Sequence, residues 1–509
     1  MRIQSTFSVV VALLTACFSL TSPRLAGAAD VAVKANTQFE VVTRGPVHEG
    51  FATQFQINPV AGVAIEKAPP KPIEELPPTA RPIGANIQWL PGYWGWDGDA
   101  KDFLWVSGTY RNLPPGHRWL PGYWNQANDG YQWMSGCYLG SNVKEIKYYS
   151  APPQSVERGP TSEAPSKNHF WISGSYQPTE GRYAWRPGYW SAQNENYVWC
   201  PARNVLTARG YIYAPGYWDY RLSQRGTLFA PVRLAAGANV NAALRLTPSV
   251  IIPATALQFH LFSQVNSATY LFGDYYGEQY AQLGIRPWYA TEIVAGVPDP
   301  LFGYSAWYFG RTGVNYLDVM TRWNTHFATH VALRPALTLA SQVDLVARVG
   351  VKDVANSILA VNLSGVTNLA ALSLVSVSAV ERAAFITAAT SLRLLAVQRV
   401  TVETGVGGVL NVAGNVSGAV NVAAQALVLP AVPITVSGVV GVAGVTTSGI
   451  GSTVNGVTYG VLPGVTNGLV PGVTNGLVPG VTNGVVPGVL NNGPLDLGGG
   501  LGGGDGLFD

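Results

Sequence analysis

Tryptophans recur at a fixed step through the first half of this 509-residue chain: Trp89, Trp105, Trp119, Trp133, Trp171, Trp185 and Trp199, with Tyr213 in the eighth place. The interval is 14 residues, apart from a 16-residue first step and a 38-residue step from Trp133 to Trp171. Three residues after each marker stands a glycine (Gly92, Gly108, Gly122, Gly136, Gly174, Gly188, Gly216), and only Ala202 breaks the rule. Five residues after it stands an aromatic (Trp94, Tyr110, Trp124, Tyr138, Tyr176, Trp190, Trp218), and only Asn204 fails. A period of this kind governs the fold before any local propensity does.

Fourteen residues hold an extended segment and a loop but no helix-plus-strand unit. In "YAWRPGYW", Tyr183 and Trp185 are two apart and share one face of a strand. The Pro-Gly pair interrupts the alternation, since proline donates nothing to a ladder and glycine permits a bend. Each unit therefore reads as one bent or bulged strand, starting near residues 87, 103, 117, 131, 169, 183, 197 and 211. The expected fold is mainly β: an antiparallel aromatic-repeat meander of about eight short strands, as two four-stranded sheets or a small barrel, spanning 87–233. A mixed Tyr-rich region (234–345), an apolar helix-containing region (346–403) and a low-complexity tail (404–509) follow. Ala202 and Asn204 mark the seventh strand as weak or irregular. The long step, 139–168, reads as a surface excursion.

"WLPGYW" (89–94 and 119–124), "WVSGTY" (105–110), "WISGSY" (171–176) and "YAWRPGYW" (183–190) resemble the bacterial WXXGXW, or YXWGXW, repeat family of exported and envelope proteins. The stretches "GYWDYRLSQRGTLFAPV" (216–232) and "LFGDYYGEQYAQLGIRPWY" (271–289) are similar to large exported proteins of planctomycete-type bacteria. The resemblance implies an envelope or exterior location and carries over no catalytic residue.

Residues 1–29 read as an export signal: Arg2, an apolar run from Phe7 to Leu20, then the small residues of "PRLAGAA". "LLTAC" (13–17) also matches the pattern at which lipoprotein precursors are cut and lipidated, which makes Cys17 a candidate lipidation site. Cys137 and Cys200 are the other two cysteines and form a candidate disulfide in an oxidising compartment. Residues 30–86 include "APPKPIEELPPTARP" (68–82), which reads as a stiff tether.

Catalytic and metal chemistry finds little support. Asp274 and Glu278 lie among Tyr270, Tyr275, Tyr276 and Tyr280, as a glycosidase pair would, but sequence proximity does not set the required separation. "VIIPATALQFHLF" reads as a strand, with Leu257, Phe259 and Leu261 alternating. His326 and His330 share a helix face without the glutamate of HExxH or an evident third ligand. There is no GxSxG, phosphate-cradling loop or CxxC, so no enzyme, cofactor or metal is expected. A net charge of +3 over this length argues against nucleic acid. No transmembrane helix is expected.

From Thr404 to Leu495 the chain holds no Asp, Glu, Lys or Arg, and "PGVTNGLV" repeats at 463–470 and 471–478. Pro-Gly and Asn-Gly every four residues signal successive turns. The tail is expected to contribute nothing to the aromatic domain and to mediate contact with envelope components or self-association. The preferred reading is a non-enzymatic structural or scaffolding protein of the bacterial envelope or exterior. The alternative is a carbohydrate-binding surface protein using exposed repeat aromatics, with polysaccharide as partner. A membrane barrel would need uninterrupted strands of about 9–11 residues.

Overall fold

The Pro-Gly or Ser-Gly step does more than bend each repeat: it divides the unit into two short strands. In the computed structural model, which describes residues 38–429 except positions 60, 85, 128–129, 180–181, 239, 242–243, 265–266, 351–353, 367, 411–415 and 422–426, and beyond them only Thr453–Val454 and Val457–Thr458, successive units pair into kinked hairpins. The first hairpin runs out as Ile87–Leu90 and Tyr93–Asp97 and returns as Asp102–Val106 and Thr109–Asn112. The second uses His117–Leu120, Tyr123–Ala127, Gly130–Met134 and Cys137–Gly140. The third uses His169–Ile172, Ser175–Thr179, Arg182–Arg186 and Tyr189–Ala192. The fourth uses Tyr197–Cys200, Arg203–Thr207, Gly210–Ala214 and Tyr217–Tyr220.

Register explains the spacing. The marker of one unit faces the aromatic five residues after the marker of its partner, so each kink is flanked by two cross-strand pairs. Trp94 faces Trp105, Trp124 faces Trp133, Trp171 faces Trp190 and Trp199 faces Trp218. On the other arm Trp89 faces Tyr110, Trp119 faces Tyr138 and Tyr176 faces Trp185. The rings meet edge to face or tilted at centroid distances of 4.9 Å for Trp89–Tyr110 to 5.6 Å for Trp124–Trp133, a geometry worth ~0.5–1.5 kcal/mol per pair beyond burial. Asn204 faces Tyr213 in an unbroken ladder, so the seventh unit keeps its pairing despite its departures.

The expected pair of four-stranded sheets, or small barrel, is not what forms among the described residues. Only the first hairpin is extended by whole strands, while Tyr131 of the second and Tyr211 of the fourth take single bridges to Ile65 and Tyr149. The first hairpin's outer arm lies in a five-stranded sheet with Gly226–Phe229, Val250–Ile252 and Val361–Asn362, and its inner arm in a four-stranded sheet with Phe39–Val41 and Val232–Leu234. The arms of the other three hairpins stay two-stranded. A strand interrupted in mid-run offers only four or five ladder residues on each side of the kink, and both arms already have a partner.

Segments outside the repeat complete its core. The helix Ala379–Thr404 starts from a Ser378/Glu381 capping box and ends at Gly405, whose φ of 69° suits glycine. It buries Phe385 and Ala389 against Trp89, Tyr110 and Phe229, and Leu392 against Leu90, Trp119 and Tyr138. Val47, Phe51, Leu228, Ile252, Phe272, Trp288 and Phe302 form a further core shared with the middle region. There "VIIPATALQFHLF" is not one strand: Pro253 starts a short helix, Ala254–Phe259, between Val250–Ile252 and Leu261–Gln264. Nor is the segment before residue 87 a plain tether, since Val42, Val47, Phe51 and Ile73 are buried.

The uncharged tail also contributes. Leu427–Val428 pairs with Glu145–Ile146, and Leu427 and Leu429 are buried with Leu120, Cys137, Val205 and Leu395. This corrects the expectation that residues after 403 leave the aromatic body untouched. The PGVTNGLV repeats lie outside the described residues. The described residues up to 429 belong to one compact unit, and the short hairpin Thr453–Val454 with Val457–Thr458 belongs to a second.

Two expected outcomes follow. A chain ending at Thr404 should unfold more easily than one ending at Leu429, by about 4 kcal/mol for two buried leucines, in denaturant titrations of both; equal midpoints would show that the 427–429 contact contributes nothing. His260 is fully buried as the neutral tautomer, with Nε2 donating to the Asn356 carbonyl at 2.7 Å and Nδ1 accepting from the Tyr276 hydroxyl at 2.7 Å. Burial lowers its pKa to about 4 from the usual 6.5. As pH falls from 6.5 towards 4 the unfolded chain takes up a proton that the folded chain refuses, so up to about 3 kcal/mol is lost across that window. His260→Asn should flatten the decline in unfolding free energy between those pH values; an unchanged slope would disprove the assignment.

Candidate functional site

At each kink the backbone leaves its ladder and exposes N–H groups that need an acceptor. In the first three hairpins glutamates from proline-containing segments supply it. Glu75, in "PIEELPP", accepts from Gly92 N at 2.8 Å, from Gly108 N at 3.0 Å and from Trp105 Nε1 at 3.1 Å. Glu49, in "PVHEG", accepts from Gly136 N at 3.1 Å and Trp133 Nε1 at 3.1 Å in the second hairpin. Glu157, in "PPQSVERGP", accepts from Gly174 N and from Trp171 Nε1 at 3.3 Å in the third. One carboxylate thus bridges a marker indole and the glycine three residues later. Burial pushes the Glu49 and Glu75 carboxyls up from the ordinary range, while these same N–H donors pull them down. Kink carbonyls are met from the helix: Arg399 donates to Pro121 O at 2.6 Å and pairs with Glu403 at 2.8 Å, both side chains fully buried.

The repeat glycines are explained by the same contact. A Cβ at Gly174 or Gly188 would lie 2.5 Å from Cζ2 of Trp185 or Trp171, and at Gly92 2.6 Å from Trp105 Nε1. The clash is closer still at Gly108, Gly122, Gly136 and Gly216 against Trp89, Trp133, Trp119 and Trp199. By the same correspondence Ala202 belongs opposite Tyr213, the one marker that is not tryptophan. A smaller ring leaves room for the methyl group.

The repeat tryptophans divide by hairpin. Trp89, Trp94, Trp105 and Trp119 are buried, whereas Trp124, Trp133, Trp171, Trp185, Trp190, Trp199 and Trp218 are half-buried. The repeat aromatics are therefore core in the first hairpin, mixed in the second and partly surface in the third and fourth. Cys137 and Cys200 both stand free: Cys137 lies after its kink and Cys200 before its own, so they do not occupy matching places. Burial pushes both thiols up to about 11. Cys17 and the export signal lie outside the described residues.

Between the hairpins is a cleft of about 180 Å³ that no sequence pattern announced. One wall is aromatic: Tyr93, Trp94 and Trp96 from the first hairpin, Trp124 and Trp133 from the second. Tyr93 stacks on Trp133 at 4.6 Å and 17°, and Trp124 Nε1 donates to Trp94 O at 2.8 Å, which fixes both rings. The other walls are Thr53–Gln54, Arg203–Leu206 of the fourth hairpin, and Gln264 with Ser267–Thr269. Gln54 and Asn204 belong to this lining, and their Oε1 and Oδ1 atoms have no hydrogen-bond partner. Arg203 and Glu49, the charged groups on the lining, are engaged at the Gly136 kink. Asn204, a departure from the repeat, thus places an amide where other units place an aromatic.

Other sequence candidates do not assemble into a site. Tyr275, Tyr276 and Tyr280 are buried with Phe262, Trp323 and Phe327, so the tyrosine cluster is packed rather than open, and Asp274 faces Arg334 at 4.0 Å. His326 and His330 stack at 4.4 Å at the end of the helix Tyr316–Thr329. Among the described residues no group of three His, Cys, Asp or Glu side chains is placed to hold a metal ion, and no helix is long and apolar enough to cross a membrane.

Glu75→Ala should destabilise the protein by at least ~3 kcal/mol, since three N–H donors, two of them on the kink backbone, lose their acceptor. The neighbouring Glu74→Ala, which removes an exposed pair with Arg245, should change stability by less than ~1 kcal/mol. Denaturant midpoints for the two variants check this; equal effects would show that the clamp is not holding the kink.

The WXXGXW repeat model matches two copies, at residues 183–203 and 209–222. These fall on the returning strand of the third hairpin and on the fourth, and the units at 87–140 repeat the same geometry without being matched. No curated protein and no solved structure matches the chain. A WXXGXW-type repeat is therefore present in this chain.

Proposed function

We propose that this is a non-enzymatic structural protein of the bacterial envelope or exterior whose kinked hairpins hold polysaccharide in the cleft between them. One observation carries the reading. The cleft combines fixed aromatic faces with unpartnered amide oxygens at Gln54 and Asn204, and its charged side chains are already occupied. Sugar rings present apolar C–H faces to aromatic rings and hydroxyl donors to such oxygens. A neutral polar lining suits an uncharged polyol better than a phosphate or an apolar ligand. The clamped kinks would hold the walls in place, so that binding orders little of the protein.

The scaffold half of the reading is supported by the export-type N-terminus and the uncharged tail of the sequence. Association through that tail should respond little to salt, because it has no charges to screen. The test is co-sedimentation of full-length protein with insoluble polysaccharides such as chitin, cellulose and peptidoglycan. At least one should retain the wild type, and Trp96→Ala or Asn204→Ala should weaken retention about ten-fold with the unfolding midpoint preserved. If none retains the wild type, the cleft is not a polysaccharide site. Envelope fractionation of the full chain and of a chain ending at Leu429 would then test scaffolding alone.

A further inference from the structure

The four hairpins are built alike, but among the described residues only three are clamped. In the first, second and third, a glutamate on a proline-flanked strap reaches a marker indole N–H and the backbone N–H three residues later. In the fourth, the only marker with an indole is Trp199, and the amide three residues on belongs to Ala202. Trp199 Nε1 is buried and has no hydrogen-bond partner. An unpaired indole alone is not the signature, because Trp89 Nε1 is also unpaired although Glu75 clamps that kink through Trp105. What sets the fourth hairpin apart is that no carboxylate reaches the marker indole that should hold one.

Trp199, Cys200 and Pro201 line a small cavity together with Arg203, Tyr217 and Arg225. Its acidic residues are engaged elsewhere: Asp219 takes Arg111 at 2.5 Å and Arg225 at 3.1 Å, and Glu49 serves the second kink. Arg203 and Arg225 are likewise engaged, with Gly136 O and with Asp219, so the Trp199 indole N–H is left on this lining without an acceptor. Gln54, whose Oε1 is also unpartnered, is a residue of the same lining, so a water between it and Trp199 is the competing occupant.

We infer that the kink of the fourth hairpin is an unfilled carboxylate socket that takes a glutamate from a proline-containing acidic peptide, with Trp199 Nε1–H and Ala202 N–H as its donors. The occupant is specified by the chain's own clamps: at Glu49, Glu75 and Glu157 the carboxylate comes from a strap with a proline three or four residues before it. A peptide docking there would close the fourth kink as the other three are closed in cis. Charge-assisted bonds from an indole and a backbone amide are about twice as strong as neutral ones, so the recognition should require the ionised acid.

The test uses full-length protein labelled with ¹⁵N in its tryptophans, with the Trp199 indole signal assigned by Trp199→Phe. The probe is the decapeptide APPQSVERGP, which copies residues 151–160, with APPQSVQRGP as control at matched ionic strength. The glutamate peptide should shift the Trp199 indole proton downfield to saturation and bind at least about ten-fold more tightly than the glutamine peptide. Sodium acetate should give the same direction of shift more weakly, and acetamide none. Trp199→Phe should weaken peptide binding about ten-fold while leaving the other indole signals in place. No shift with the glutamate peptide, or an equal shift with both peptides or with acetamide, would overturn the socket and leave a buried water as the occupant.

Discussion

The repeat region depends on one interaction, the buried carboxylate that gathers the N–H groups of a broken strand. A kink in mid-strand is costly because it strands backbone donors away from both ladder and water. Glycine at the kink lets the partner indole lie against the backbone, and the indole N–H then joins the kink N–H at one acceptor. Glu75 receives three such donors, so the motif's tryptophan and glycine are two halves of one anion-binding arrangement. Those bonds offset part of its burial penalty, while burial still leaves the carboxyl above its ordinary range.

This changes the meaning of the proline-rich segments. Around Glu75 and Glu157 the prolines keep the segment out of helix and remove donors that would otherwise compete for the glutamate, whereas Glu49 is presented from a turn after Pro46. They are straps. The same logic places Arg399 and Glu403 on the long helix: the arginine takes the Pro121 and Ser135 carbonyls that the kink leaves, and Glu403 holds the arginine and accepts from the Tyr123 hydroxyl. N–H groups are met from one side by the strap and carbonyls from the other by the helix. The second hairpin is thus held by pieces of chain that lie hundreds of residues apart.

The period, the strand starts and the antiparallel pairing were legible because they follow from residue spacing, and a 14-residue unit admits little else. The splitting of each unit into two arms was half legible: Pro-Gly announced an interruption, but not that both arms would pair within one hairpin rather than across the sheet. Glu49, Glu75 and Glu157 were invisible as a set, since nothing in "HEG", "EEL" and "VERG" marks them as equivalent until the kinks they serve are superposed. The cleft was illegible for the same reason. Its walls come from residues 46 to 269, and Gln54 and Asn204 meet only through tertiary packing. Leu427 and Leu429 misled in the other direction, because a segment without charge or amphipathic period gives no sign of which two leucines are core.

A module whose donors and aromatic pairs are satisfied within the hairpin can be used in more than one setting. The first hairpin is sunk against the helix and the added strands, with Trp89 and Trp105 almost inaccessible, and the second packs on the helix with Trp119 buried. The third keeps the same cross-strand pairs, Trp171 with Trp190 and Tyr176 with Trp185, while its strands are only half-covered and Tyr189 is 41% exposed. Such a surface is tolerable because edge-to-face pairing and the Glu157 clamp are complete without a neighbour, whereas an ordinary hairpin of this size is marginal alone. The divergence of the fourth unit fits this view. Ala202 in place of glycine and Tyr213 in place of tryptophan change together, and the register from Arg203 to Thr207 is unaltered. What the repeat conserves from one copy to the next is a local balance of ring size against backbone clearance, and the surroundings are left free to vary.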